Sequence, residues 1–137
     1  MSATIFAPNR DALGKGFEKR KHLLCADGNE DTRAMMSALL AMSGYQVTTT
    51  GSVTDTLSST QKGGFDLFIL DGIYPDGFGV GLCEQIRRFD SHTPILFLSG
   101  LAYESDIAKG MNAGAQAYLT KPVDMDVLEQ TIAGLTV

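Results

Sequence analysis

The sequence predicts an open α/β fold, a parallel sheet with helices on both faces, and three observations carry that expectation. Short continuous apolar runs such as Leu67-Phe68-Ile69-Leu70 and Ile95-Leu96-Phe97-Leu98 suit strands covered on both sides. Such runs alternate five times with stretches of helical periodicity, so five βα units joined by right-handed crossovers are expected. Polar residues follow the runs, at the carboxyl ends where sheets of this class gather their ligands.

The elements follow in order. Residues 1–20 mix Asn, Pro, Gly and charges without a period and are expected to be a flexible basic tail; a short partner-binding helix is the alternative. The first strand covers 23–26. The first helix covers 30–42, with Met35, Leu39, Met42 and Met36, Leu40 at helical spacing, and Gly44 stands just past its end where a left-handed residue is cheap. A second strand over 45–49 leads to a helix over 53–61 that Ser52 can cap. The third strand spans 65–70, and the helix over 80–89 aligns Leu82, Ile86 and Phe89. The fourth strand, 95–98, precedes a helix near 103–112 with Ile107 and Met111 on one side. The fifth strand, 117–119, precedes a helix over 125–135 with Leu128, Ile132 and Leu135.

At 137 residues the chain amounts to one domain, with 44% hydrophobic and 20% charged residues, an ordinary globular composition. Its net charge of −5 is uneven: residues 1–22 carry +3 and the remainder −8. An acidic body argues against direct nucleic-acid binding, since neutralising phosphates needs Lys and Arg. Cys25 and Cys83 lie far apart in apolar settings, so a disulfide scaffold or zinc site is not expected and both read as buried thiols. Met35, Met36 and Met42 read as core filler, and His22 and His92 as solvated residues flanking strands. Without a leader-type apolar run or a stretch of about 18 apolar residues, a cytoplasmic domain with no membrane span is expected.

The residues after the strands form one rim. Asp27 follows the first strand, Asp71 the third, Ser99 the fourth and Lys121 the fifth. A carboxylate can take a phosphoryl group as a nucleophile, and a second can help hold Mg²⁺, which tolerates few carboxylates plus waters. An ammonium and a metal neutralise a transferring phosphoryl, and a hydroxyl can bond one of its oxygens. Singly, an Asp at a strand end is a turn residue or cap and a lone Lys is a solvated charge. Four such groups at consecutive rim positions are harder to explain that way.

Residues 21–137 resemble the receiver domain of bacterial two-component response regulators. The motifs are Leu23-Leu24-Cys25-Ala26-Asp27, Leu70-Asp71 with Pro75 and Gly79, Pro94 through Gly100, and Gly114 through Pro122; the rim residues are spaced by 44, 28 and 22 positions, as in that family. The resemblance implies a flavodoxin-like doubly wound sheet of order 2-1-3-4-5 with five helices. It implies Asp71 as the phosphoacceptor, Lys121 and Ser99 as its contacts, and a cis peptide before Pro122. It implies Tyr118 as an aromatic switch that turns inward with Ser99, with a plain core aromatic as the alternative. It implies Mg²⁺ held by Asp27, Asp71 and the backbone carbonyl of Ile73. A histidine kinase or phosphotransfer protein would supply the phosphoryl group. A downstream protein or an output domain outside this chain would read the change, and a homodimer through the fourth helix, fifth strand and fifth helix is a further expectation. The role is regulatory and not that of an enzyme, beyond self-catalysed phosphorylation and dephosphorylation.

One departure stands out. The family places two adjacent acids after the first strand, whereas here Gly28 follows Asp27. Glu30 and Asp31 read as helix-start acids that complement the dipole. The competing expectation is therefore a pseudo-receiver, a phosphorylation-independent interaction module with weakened Mg²⁺ binding. Ile73 and Leu101 lie two residues past Asp71 and Ser99 and either shield the phosphoryl from water or are ordinary loop residues. A flavin binder would want a Ser/Thr-rich phosphate loop after the first strand, a dinucleotide binder GxGxxG, and an Asp-based phosphatase a second acid at position 73; none is present.

Overall fold

The computed structural model describes residues 20–137, so the expected tail over residues 1–20 lies, apart from Arg20, outside the described residues. The order is β1 (His22–Ala26), α1 (Glu30–Met42), β2 (Gln46–Thr50), α2 (Val53–Lys62), β3 (Leu67–Leu70), β4 (Ile73–Tyr74), β5 (Gly77–Phe78), α3 (Gly79–Arg87), β6 (Ile95–Ser99), α4 (Glu104–Asn112), β7 (Ala117–Thr120) and α5 (Met125–Leu135). A five-stranded sheet of order β2-β1-β3-β6-β7 has every pair parallel. It is the expected doubly wound sheet. A two-stranded antiparallel hairpin of β4 and β5 was not expected.

The period of two along each strand sorts the core into two layers. Leu23, Cys25, Leu67, Ile69, Leu96 and Leu98 pack against Met36 and Leu40 of α1 and Leu128 and Ile132 of α5. Leu24, Ala26, Phe68, Leu70, Ile95 and Phe97 pack the other way, against Leu82, Cys83 and Ile86 of α3, with Leu57 of α2 alongside. Helices thus cover both faces, which is why β3 and β6 are buried along their whole length.

Local chemistry sets the ends. The Asn29 side chain accepts the Thr32 amide to start α1, Ser52 caps α2 through Asp55, and Asp124 caps α5. Gly44 has φ 96°, as the turn after α1 requires. The third strand starts at Leu67 rather than 65; just before it the Asp66 carboxylate accepts the His22 amide.

Several side-chain expectations are corrected. Of the three α1 methionines only Met36 is buried; Met35 and Met42 are 53% and 84% exposed. Phe89 lies past the end of α3 and is exposed, and Met111 is exposed on α4. His22 is half-buried rather than solvated: its Nε2 is 2.7 Å from Thr48 Oγ1 and its ring 4.5 Å from Phe65. His92 is exposed, and Cys25 and Cys83 are buried free thiols, all as expected. Among the described residues no helix is long and apolar enough to cross a membrane.

Candidate functional site

The parallel register brings the rim together. Ala26 pairs with Leu70 and Leu70 with Phe97, so Asp27 and Asp71 leave adjacent strands at the same level. Ser99 pairs with Thr120, which sets Lys121 one residue beyond. Asp27, Asp71 and Lys121 also share the parity of the residues that face α1 and α5.

Lys121 joins the two acids. Its Nζ lies 2.7 Å from Asp27 Oδ2 and 3.4 Å from Asp71 Oδ2. The ammonium is thus tethered chiefly to Asp27 and leans on Asp71. Burial works against its charge, but its hydrogen bond to Asp27 and the negative charge of Asp71 outweigh that and raise its pKa. Burial likewise raises the Asp71 pKa, only partly offset by the Gly72 amide and Lys121. The Gly72 amide donates to Asp71 Oδ1 at 2.7 Å, leaving Oδ2 as the oxygen beside the ammonium. Beneath them burial, reinforced by Asp27, pushes the Cys25 thiol up to about 12, so it stays neutral.

Ser99 is fully buried and its hydroxyl accepts the Leu101 amide at 3.0 Å. Gly72 is needed opposite it, since a Cβ there would fall 2.5 Å from Ser99 Oγ and 2.8 Å from Leu101 Cδ1. Tyr118 points inward, its ring stacked on Phe97 at 5.4 Å and its hydroxyl donating to the Leu101 carbonyl at 2.6 Å. The Lys121–Pro122 peptide is cis. Ile73 is 52% exposed and Leu101 half-buried, flanking the site. Glu30 and Asp31 occupy the first turn of α1.

The chain belongs to the response regulator receiver family. The pattern described as "Response regulator receiver domain" matches residues 23–133, most of the chain. Among curated relatives, this receiver is 34% identical to the nisin biosynthesis regulatory protein NisR of Lactococcus lactis subsp. lactis, over 77% of this chain and 46% of that one. It is 31% identical to the probable transcriptional regulator ycf27 of Cyanidium caldarium, over 86% and 47%. The chain spans about half the length of the curated relatives it matches. Among solved structures, the chemotaxis response regulator CheY4 of Vibrio cholerae aligns with a TM-score of 0.80 and 28% identity, covering 85% of this chain and 99% of that one. A putative response regulator from Chloroflexus aurantiacus aligns at 0.81 and 28%, covering 86% and 98%.

The chemistry of the oxygen donors expected at this rim suits a partly hydrated Mg²⁺, a hard cation. They are two carboxylates and the Ile73 carbonyl. A Cβ on Gly28 would stand 3.6 Å from that carbonyl oxygen, with no atom nearer than Pro75 Cδ at 3.5 Å, so there is room where the family's second acid would project. Among the described residues no three His, Cys, Asp or Glu side chains cluster as a metal site.

Three contacts escaped the sequence. The Arg33 guanidinium donates to the Asp27 carbonyl at 2.8 Å. Asp76 accepts the Val53 and Thr54 amides and the Thr54 hydroxyl, latching the β4–β5 hairpin to the start of α2. The Tyr74 hydroxyl reaches the backbone of Asp71. Arg33 had a readable signal, a basic residue on the first turns of a helix that begins beside a carboxylate; the hairpin had none.

Proposed function

We propose that this receiver accepts a phosphoryl group on Asp71 from a histidine kinase or phosphotransfer protein and thereby biases a partner-binding face. The observation that carries the reading is the Asp27–Lys121–Asp71 cluster at the strand ends, with the Asp71 anion under-compensated in a buried setting. A carboxylate made more basic by burial is a better nucleophile.

Asp71 Oδ2 attacks phosphorus of a phosphohistidine, forming an O–P bond as the P–N bond breaks; the electron pair leaves with the imidazole nitrogen, which takes a proton from solvent. Lys121 neutralises the oxygens of the transferring group, and Asp27 holds the ammonium in place. Bound by Asp27, Asp71 and the Ile73 carbonyl, Mg²⁺ would supply further charge neutralisation. The Ser99 hydroxyl donates a hydrogen bond to a phosphoryl oxygen. Tyr118, bonded to Leu101 two residues on, couples that shift to the face of α4, β7 and α5 as a change of populations. An apolar groove of about 540 Å³ lined by Met35, Leu39, Pro122 and Met125 opens beside Lys121, which offers a protein donor a surface next to the phosphoacceptor. A downstream protein or an output domain outside this chain would read the change, and a homodimer through the same face is compatible with exposed Tyr103 and Val127.

The second reading, a phosphorylation-independent pseudo-receiver, rests on Gly28 alone. Intact mass after exposure to a small acyl-phosphate donor, with and without Mg²⁺, separates the two. A single phosphoryl adduct that disappears in Asp71→Asn supports the first; no adduct at any Mg²⁺ concentration supports the second.

A further inference from the structure

The β4–β5 hairpin carries a side chain that the reading above leaves without a role. Tyr74 is 5% exposed and belongs to the core layer on the α2–α3 side. Its hydroxyl accepts the Asp71 amide at 2.7 Å and donates to the Ala26 carbonyl at 3.1 Å. The same Asp71 amide also donates to Ala26 at 3.1 Å as part of the sheet. Three groups therefore meet where β1 and β3 end, immediately below the two carboxylates.

The bland account is a core tyrosine whose hydroxyl found partners, as any buried hydroxyl must. Two features go beyond it. The sheet bond between Asp71 and Ala26 exists without the tyrosine, so folding does not need the hydroxyl there, and an apolar ring would fill the same space without desolvating an oxygen. The partners are also particular: one is the backbone of the phosphoacceptor itself and the other is the residue before Asp27. Tyr74 further ties the hairpin, whose Ile73 carbonyl faces Gly28, to that junction. Asp76 fixes the far end of the same hairpin to α2. With one acid missing at position 28, the aim of the remaining donors matters more.

We propose that Tyr74 is a positioning residue for the phosphoacceptor: its hydroxyl clamps the Asp71 amide against the Ala26 carbonyl and so holds both carboxylates and the Ile73 carbonyl in one arrangement. The proposal rests on Asp71 being the phosphoacceptor. Preorganisation of this kind acts on the rate at which a bound donor reacts more than on donor binding.

The test is Tyr74→Phe in the full chain, which removes one oxygen, keeps the ring and leaves the Asp71–Ala26 bond to support the fold. Phosphorylation by phosphoramidate is followed by intact mass at saturating Mg²⁺, and exchange of the Asp71 amide proton by NMR without donor. The maximal rate is expected to fall about fivefold, the scale of one lost hydrogen bond, with the donor KM within about twofold of wild type. Exchange at Asp71 should quicken, while Tyr45→Phe, in the core layer on the other face, changes neither. A lowered melting temperature with unchanged rate and unchanged Asp71 exchange would show a merely structural hydroxyl and overturn the proposal. A wild-type chain that takes no phosphoryl group sinks the phosphoacceptor reading and this proposal with it; normal wild-type labelling with an unaltered Tyr74→Phe rate sinks this proposal alone.

Discussion

Gly28→Asp returns a carboxylate to the place where the site lacks one. The backbone accepts it: the new Cβ would lie 3.5 Å from Pro75 Cδ, 3.6 Å from the Ile73 oxygen and 3.9 Å from Tyr74 Cα, all ordinary contacts. The site now sets two acids against one ammonium, and the substitution takes its charge from −1 to −2. Unit charges 4 Å apart interact by about 4 kcal/mol at an effective dielectric of 20, and a divalent ion doubles that. Lost hydration and the nearby ammonium cancel most of it, leaving a net gain of roughly 1.5–3 kcal/mol, or about 10- to 100-fold in Mg²⁺ affinity. Without Mg²⁺ the extra anion repels Asp27 and Asp71 and should lower stability by about 1 kcal/mol. Millimolar Mg²⁺ should more than reverse that by binding the native state alone. Calorimetric Mg²⁺ titration and thermal melts with and without Mg²⁺ read both effects. An affinity within twofold of wild type would refute the placement of residue 28 at the metal.

Asp71→Asn should stabilise the fold at neutral pH. Burial raises the Asp71 pKa, so the native state binds that proton more readily than the unfolded chain. The ionised form then opposes folding above the unfolded pKa, and urea melts should show the gain shrinking to nothing as pH drops below the carboxylate range; at neutral pH Lys121 keeps Asp27 as its partner in the variant. Ile73→Asn and Leu101→Glu should each shorten the life of the phosphorylated form several-fold in a mass-followed decay, because the apolar flank that keeps water off the phosphoryl is lost; equal lifetimes would remove the shielding idea. Gly110→Ala should loosen the inward seat of Tyr118, since the added carbon would sit 3.0 Å from its ring and 3.1 Å from Phe97. NOEs between the Tyr118 ring and Leu101 report this, and unaltered NOEs would mean that α4 yields instead.

Long elements were legible because burial on a regular period leaves a regular trace. The first and fifth helices have the expected bounds, and each sheet strand lies within two residues of its expected start. Periodicity marks a stripe but not where its covering neighbour stops, which is why Met35, Met42, Phe89 and Met111 sit on apolar stripes yet face outward. The rim was legible for a related reason: a parallel sheet brings every strand's carboxyl end to one edge, so order along the chain already implies that Asp27, Asp71 and Lys121 converge. The hairpin was not, because a two-residue strand has no period and its partners, Val53, Thr54 and Ala26, are 22 to 48 positions away. The absence of an acid at position 28 could be read from one letter. The contacts around it could not, because they depend on the folded hairpin: the Tyr74 hydroxyl of β4 at the Asp71 amide, and the Asp76 carboxylate at the hairpin's tip holding the start of α2. A site short of one charge can still bind and react if its remaining donors lose little entropy on engagement, and the proposed Tyr74 clamp would serve that end from the hairpin, whereas Glu30 and Asp31 occupy the first turn of α1.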